Sequence, residues 1–224
     1  MFTPKKYTLG FSLIELIVTI AVVGILAGIL IPVIGKARVK ASSAISASNL
    51  RQIGSAIELY AADHKSQLPG PIWSAQGPYY WDVEGNLAYF IKDYLVDESW
   101  DNSGKRGYSD IFAYPAWEAS VEENTAPSYF FNRSPVRGEP DLVPFGHKAA
   151  SKDDTRGPML MSVLRARVPG DTWLMIEVDQ KLEGLGAPGW FSRIPEDPVH
   201  LNHRNVLSYS FSVSQWDASR AIQQ

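Results

Sequence analysis

A long run of apolar residues dominates the first part of the chain. The 24 residues from Phe11 to Ile34 contain a single charged side chain, Glu15. A helix of this length can cross a hydrocarbon core of about 30 Å. A secretory signal peptide has a shorter apolar region followed by small residues at its cleavage site, whereas the small residue here, Gly10, precedes the run. The pattern therefore predicts a membrane-spanning helix over residues 11–34.

The helical pattern continues after Ile34, with polar residues among the apolar ones. Over residues 35–66 the apolar positions recur mostly every three or four residues, which is typical of a helix with one buried face. These positions are Ala41, Ala44, Ile45, Leu50, Ile53, Ile57 and Tyr60. We expect this face to pack on the rest of the protein. We expect the helix to end at the breakers in residues 68–71, Leu-Pro-Gly-Pro.

Residues 67–224 consist of short periodic stretches separated by Gly, Pro, Asn and Asp, and we expect them to form a globular head. The periodicity predicts a helix over Glu84–Tyr94 and strands over Ser128–Asn132, Thr172–Val178 and Val206–Val213. The expected fold class is α+β: a long N-terminal helix, with a transmembrane half and an amphipathic half, packed on a mainly antiparallel β-sheet.

Composition and charge narrow the range of functions. The net charge of -3 and the pI of about 5.8 provide no broad basic field of the kind that nucleic-acid binding needs, so we expect no nucleic-acid partner. The chain contains no cysteine, which excludes disulfides, thiolate metal sites and cysteine nucleophiles. Nearly all of the 7 Trp, 10 Tyr and 9 Phe lie after residue 70, which predicts an aromatic-rich core in the head.

Glu15 is the informative residue of the apolar run. A carboxylate at membrane depth costs about 2.5–3.5 kcal/mol on insertion scales, and such residues are usually functional. If the chain were cut between Gly10 and Phe11, the new α-amino group would lie about one helical turn from Glu15. It could then pair with this carboxylate, either in the same subunit or in a staggered neighbour.

Gly24, Gly28 and Pro32 recur at every fourth position on one side of the same helix. Small residues at this spacing let membrane helices approach each other closely. Pro32 lacks the N–H that would donate to the carbonyl of Gly28, which weakens the helix there. We therefore expect these residues to allow close helix packing and to weaken the helix locally, although a kink that merely fits the bilayer is the alternative.

The N-terminus resembles the type IV prepilin cleavage and methylation signature over residues 5–15, KKYTLGFSLIE. The resemblance implies that a prepilin peptidase removes residues 1–10 as a leader peptide on the cytoplasmic side and methylates the amine of Phe11. It also implies that Glu15 is the assembly carboxylate of the family, and that Gly24 and Pro32 match positions where the pilin helix loosens. The alternative is an ordinary single-span anchor with a stray glutamate.

The resemblance implies a structural subunit of a type IV pilus or a type II secretion pseudopilus, and not an enzyme. Such a subunit crosses the inner membrane once with its head in the periplasm and is then polymerised through its N-terminal helix. The implied partners are identical or related subunits, the prepilin peptidase, the inner-membrane assembly machinery and the lipid bilayer. No cofactor is expected.

The head resembles a large pilin-like subgroup, on shorter motifs. The similar stretches are residues 50–54, 128–132 and 168–174. Residues 205–207 are similar to the start of a terminal motif that normally continues through Phe-x-Asp-Gly-His. This chain departs from it, since residues 210–212 are Ser-Phe-Ser.

The sequence offers few other candidates for catalytic or metal-binding residues. A nucleophile in a Gly-x-Ser-x-Gly turn is absent from the sequence. His200 and His203, with two carboxylates nearby, could supply metal ligands, but their proline-flanked segment is not evidently helical and the spacing does not enforce a shared face. Asp153 and Asp154 offer paired oxygens of the kind that suits calcium, but no regular ligand spacing surrounds them. We therefore expect no metal site and no catalytic residues.

Aromatic residues at the start of the head suggest a second function. Flat exposed aromatic rings can stack on sugars or bind a partner surface, and Trp73, Tyr79, Tyr80 and Trp81 lie close together in the sequence. The alternative to a plain building block is a minor pilin-like binding module whose head recognises a glycan, a surface or an exported protein. Exposure of Trp73 and Trp81 would favour this alternative, whereas their burial would favour the building block.

Overall fold

The computed structural model describes residues 12–81, 84–95, 106–122, 125–148, 155–186 and 188–222. The chain divides into two compact units, residues 1–38 and 39–224. A single helix, α1 (Leu13–Asp63), supplies the described part of the first unit and the beginning of the second.

The described part of the second unit adds short helices and strands. The helices are α2 (Leu87–Ile91), α3 (Pro115–Glu118) and α4 (Met161–Arg167), with 3₁₀ turns at Lys92–Tyr94, Asp110–Phe112 and Phe191–Arg193. The strands are β1 (Ala75–Gln76), β2 (Tyr79–Trp81), β3 (Arg106–Tyr108), β4 (Tyr129–Phe131), β5 (Trp173–Glu177), β6 (His203–Ser208) and β7 (Val213–Asp217).

Five of the strands form one sheet in the order β1-β4-β5-β6-β7, and every neighbouring pair is antiparallel. The strands β2 and β3 form a separate antiparallel pair. All five residues of the central strand β5 are buried, so both faces of the sheet are covered there. The predicted α+β class, with a long N-terminal helix and a mainly antiparallel sheet, is confirmed.

The helix packs on this sheet within the second unit, but its buried face differs in part from the prediction. Leu50, Ile53 and Ile57 are fully buried as expected. The prediction was wrong for Ala41, Ala44 and Ile45, which are exposed. Most of the positions that are buried in their place are polar, namely Ser42, Ser43, Ser46 and Asn49, together with Ala47.

Two predicted helix boundaries also need correction. The helix α1 ends at Asp63, before the Leu-Pro-Gly-Pro breakers, because Lys65 and Ser66 adopt left-handed backbone conformations with φ of 55° and 64°. The helix predicted over Glu84–Tyr94 is shorter: α2 begins at Leu87 and passes into a 3₁₀ turn at Lys92.

The strands predicted over Ser128–Asn132 and Thr172–Val178 are confirmed as β4 and β5. The single strand predicted over Val206–Val213 is wrong, because the chain reverses direction between β6 and β7. Phe211 has a φ of 61° in this turn.

Serine hydroxyls stabilise the β6–β7 turn. The hydroxyl oxygen of Ser208 lies 2.8 Å from those of both Ser210 and Ser212. The N–H of Phe211 donates to the carbonyl of Ser208 at 2.9 Å. A tight turn is therefore kept where the resembled subgroup has Asp-Gly-His.

Candidate functional site

Glu15 closes the N-terminal end of α1. The helix begins at Leu13, and the N–H of Leu16 donates to the carbonyl of Ser12 at 3.2 Å. The carboxylate oxygen Oε2 of Glu15 accepts a hydrogen bond from the N–H of Ser12 at 3.0 Å. This is half of a capping box, in which the acidic side chain satisfies a donor that the helix leaves unpaired. A negative charge in the first turn is also favoured by the helix dipole.

The capping box was missed in the sequence, although the pattern Ser-x-x-Glu over residues 12–15 is its usual signature. The bond to Ser12 uses only one of the two carboxylate oxygens of Glu15, and no described residue bonds to Oε1. The side chain is exposed. Glu15 can therefore cap its own helix and still accept from a second group. The predicted cleavage and methylation positions, Gly10 and Phe11, lie outside the described residues.

The small residues of α1 leave an open surface on the helix. A Cβ atom added at Gly24 or Gly28 would meet no atom within 4 Å, so packing within this chain does not require glycine at either position. Pro32 lies inside the helix without ending it. The close packing and local weakening at these residues stay predictions.

The first half of α1 is apolar and uncovered. Exposure of its large apolar side chains runs from 76% at Leu13 to 41% at Ile34. An apolar surface of this extent requires an apolar environment or a partner. Among the described residues, α1 is the helix that is long and apolar enough to cross a membrane.

A family model described as the prokaryotic N-terminal methylation motif matches residues 5–31. The chain carries a type IV pilin-like signature. The match covers the predicted cleavage position, Glu15, Gly24 and Gly28, and it leaves the head unmatched. No curated protein and no solved structure matches the chain. The pilin-like motif indicates a structural subunit, and it implies processing by a prepilin peptidase and assembly into filaments.

In the second unit, a buried polar network joins α1 to the sheet. Glu177, at the end of β5, is 2% exposed. Its carboxylate accepts hydrogen bonds from the hydroxyl of Ser46, from Nε2 of His200 at 3.0 Å and from the side-chain amide of Asn205 at 3.1 Å. It also accepts from the main-chain N–H of Asn205 at 2.7 Å. Helix and sheet are therefore held in one register by directional bonds as well as by apolar packing.

Two further polar residues of α1 bind main-chain groups of the head. The hydroxyl of Ser42 accepts from the N–H of Ala116 at 2.9 Å. The side-chain amide of Asn49 donates to the carbonyl of Ala113 at 2.8 Å. These bonds explain why polar positions of the helix are buried, since a buried polar group is unfavourable only when it lacks a partner.

The two histidines considered as metal ligands belong to the same network. His200 directs Nε2 to Glu177, and Nε2 of His203 lies 2.8 Å from the hydroxyl of Ser43. Burial and the neighbouring His200 hold the pKa of His203 below its ordinary value. Within the described ranges, no cluster of three metal-ligating side chains occurs. Asp153 and Asp154 lie outside those ranges.

Proposed function

We propose that the chain is a subunit of a type IV pilus or a type II secretion pseudopilus. In this proposal, a prepilin peptidase removes residues 1–10 and methylates Phe11. The processed chain spans the inner membrane once, with its head in the periplasm. The assembly machinery then polymerises it with identical or related subunits through the N-terminal helix.

The observation that carries the proposal is the hydrogen bonding of the Glu15 carboxylate and its apolar surroundings. The carboxylate lies within an uncovered apolar helix and uses one oxygen to cap that helix, leaving the other available. Insertion of such a group in hydrocarbon is costly unless it is paired. The amine created by cleavage, on the same or a neighbouring subunit, supplies a partner of the correct charge.

The test compares two substitutions of Glu15 in cells that contain an active prepilin peptidase and assembly machine. Glu15→Gln keeps an oxygen that can accept from Ser12 but removes the charge, whereas Glu15→Ala removes both. Both variants are expected to insert in the membrane and to enter filaments poorly, and a Thr19→Val control is expected to assemble normally. Filament incorporation is measured in sheared or crosslinked fractions, and processing by intact mass.

The outcomes separate the two roles of Glu15. If Glu15→Gln assembles like the wild type while Glu15→Ala does not, capping explains the residue and charge pairing is refuted. The mass of the wild-type protein should correspond to a chain that starts at methylated Phe11. A membrane protein that retains residues 1–10 in these cells would contradict the processing step.

A binding role for the head is a second candidate, favoured by the exposure of Trp73. This side chain is 37% exposed, whereas the large aromatic residues at the centre of the core, such as Trp117 and Tyr129, are fully buried. This alternative also depends on Trp81, whose side chain is not among those that the structure describes. The two candidates are compatible, since a filament subunit can also present a binding site.

A further inference from the structure

A surface cleft of about 530 Å³ lies beside the edge strand β1 of the head. Aromatic side chains from three separate segments line it, namely Trp73, Phe130 and Trp190, and Arg133 and Lys148 add positive charge. Its volume falls within the range of small-molecule sites, about 300–1,000 Å³. No Asp or Glu is among its lining residues.

The exposed indole of Trp73 is held in a fixed position. The N–H of Trp73 donates to the carbonyl of Gly85 at 2.8 Å, and its carbonyl accepts from the buried side-chain amide of Gln76 at 2.7 Å. A Cβ atom on Gly85 would lie 2.6 Å from two atoms of the indole ring, so the glycine backbone lies directly against the ring. Gly85 also has a φ of 115°, which favours glycine. Trp73 is therefore a rigid exposed aromatic group, the kind of residue that binds at low entropic cost.

Arg133 is a half-buried cation that has no counter-ion among the described residues. No described residue forms a hydrogen bond or ion pair with its side chain, and burial lowers the pKa of its guanidinium. Lys148, by contrast, pairs with Glu84 at 2.9 Å. A partly desolvated charge without a partner is unfavourable, so an anion that enters the cleft would meet Arg133 as its natural partner. Guanidinium binds carboxylates through two parallel hydrogen bonds.

We propose that this cleft binds a carboxylated sugar of an acidic polysaccharide, with the pyranose ring stacked on Trp73 and the carboxylate bound to Arg133. The proposal rests on the second candidate function, because it specifies the ligand of that binding role. An extended acidic peptide is less well suited, because β1 has only two residues and offers too short an edge for an added strand. A rigid aromatic face combined with one cation that no described residue pairs matches a ring that carries a single negative charge.

The test measures binding of polygalacturonate to the full chain in detergent micelles. We expect saturable binding that weakens as salt is raised, and much weaker binding of the neutral polymer hydroxyethyl cellulose. Arg133→Gln and Trp73→Ala should each weaken binding by about tenfold or more, the size expected for loss of a charge-assisted hydrogen bond or a buried aromatic contact. Arg51→Gln, which removes an exposed cation elsewhere, should not do so.

Thermal unfolding of each variant identifies any that fail to fold. Gly85→Ala provides a further test, because its methyl group must displace the indole and is expected to weaken binding in the same way as Trp73→Ala. Absence of polygalacturonate binding by the wild type overturns the proposal, as does undiminished binding by a folded Arg133→Gln variant. Equal binding of poly-glutamate would show that the site recognises charge alone and would overturn the assignment to a sugar. None of these results depends on processing or polymerisation, so failure here leaves the filament proposal intact.

Discussion

Removal of the Glu177 carboxylate should be the most damaging single change in the junction between α1 and the sheet. Four donors converge on this group: the Ser46 hydroxyl, Nε2 of His200, and the side-chain and main-chain N–H groups of Asn205. Both Glu177 and His200 are nearly inaccessible to solvent. In Glu177→Ala, water cannot readily replace the lost acceptor unless the structure opens.

The expected magnitude follows from the number and burial of these donors. A buried donor left without a partner costs about 1–3 kcal/mol, and four such costs are not additive because the donors can partly re-pair among themselves. With partial re-pairing the total should be about 3–5 kcal/mol, at the upper end of what single substitutions cost. We expect a loss in this range, a large part of the roughly 5–15 kcal/mol that stabilises an ordinary domain.

Urea unfolding of the full chain in detergent, followed by tryptophan fluorescence, measures this loss. The matched control is Glu139→Ala, which removes a carboxylate paired with Arg167 on the surface. Exposed pairs contribute about 0–1 kcal/mol, so the control should unfold nearly like the wild type. If Glu177→Ala lost less than about 1 kcal/mol, or no more than the control, the network would not stabilise the junction. A double-mutant cycle with Ser46→Ala then isolates the bond between helix and sheet, for which we expect a coupling of about 1.5–3 kcal/mol.

Two further predictions concern the segment around β6. Since the pKa of His203 is held below its ordinary value of 6.5, the unfolded chain binds this proton more readily than the folded chain. Stability should therefore decline as the pH falls from about 7 through 6.5 towards the lower folded-state pKa, and His203→Gln should show a shallower decline in melting temperature over pH 7 to 5. An unchanged pH profile in the variant would rule out His203 as the source. Leu201 is 68% exposed and has a φ of 70°, so Leu201→Asn should raise stability by about 1 kcal/mol, and a lower melting temperature would show that the leucine makes a contact worth more than the backbone strain.

Local patterns in the sequence were sufficient for several elements. The apolar run of α1, the inward positions Leu50, Ile53 and Ile57, and the strand β5 follow from short-range patterns. The strand β4 has only three residues, and it was predicted in a stretch, residues 128–132, that resembles a strand of the pilin-like subgroup. The strands β1, β2 and β3 have only two or three residues each, too few to show any period. In the β6–β7 hairpin, the apolar and polar residues continued to alternate through the turn, so the pattern predicted one strand where there are two.

One residue of the N-terminal site, Glu15, could be identified from the sequence alone. The charge at Glu15 is conspicuous because hydrocarbon penalises it, and this local signal requires no knowledge of the fold. The aromatic cleft was harder to predict from the sequence. Trp73 could be identified as a candidate, but only the tertiary structure brings Arg133 and Trp190 beside it. The proposed role of Arg133 depends on its having no counter-ion within the described part of the chain, and this property cannot be read from its neighbours in sequence.

The buried face of α1 was predicted wrongly in part, because apolar spacing alone does not identify the side of a helix that docks through polar residues. The rule assigns apolar residues to the buried side because an apolar group gains most from leaving water. Between residues 42 and 49, however, the side that packs on the head carries three serines and an asparagine, each with a specific acceptor or donor there. Glu177 and Asn205 lie more than 120 residues away from these serines in the chain, so no local window could reveal that their hydrogen bonds would be satisfied. The exposure of Ala41, Ala44 and Ile45 is the direct consequence, because a helix that docks through its polar side must leave the opposite, apolar side uncovered in the subunit.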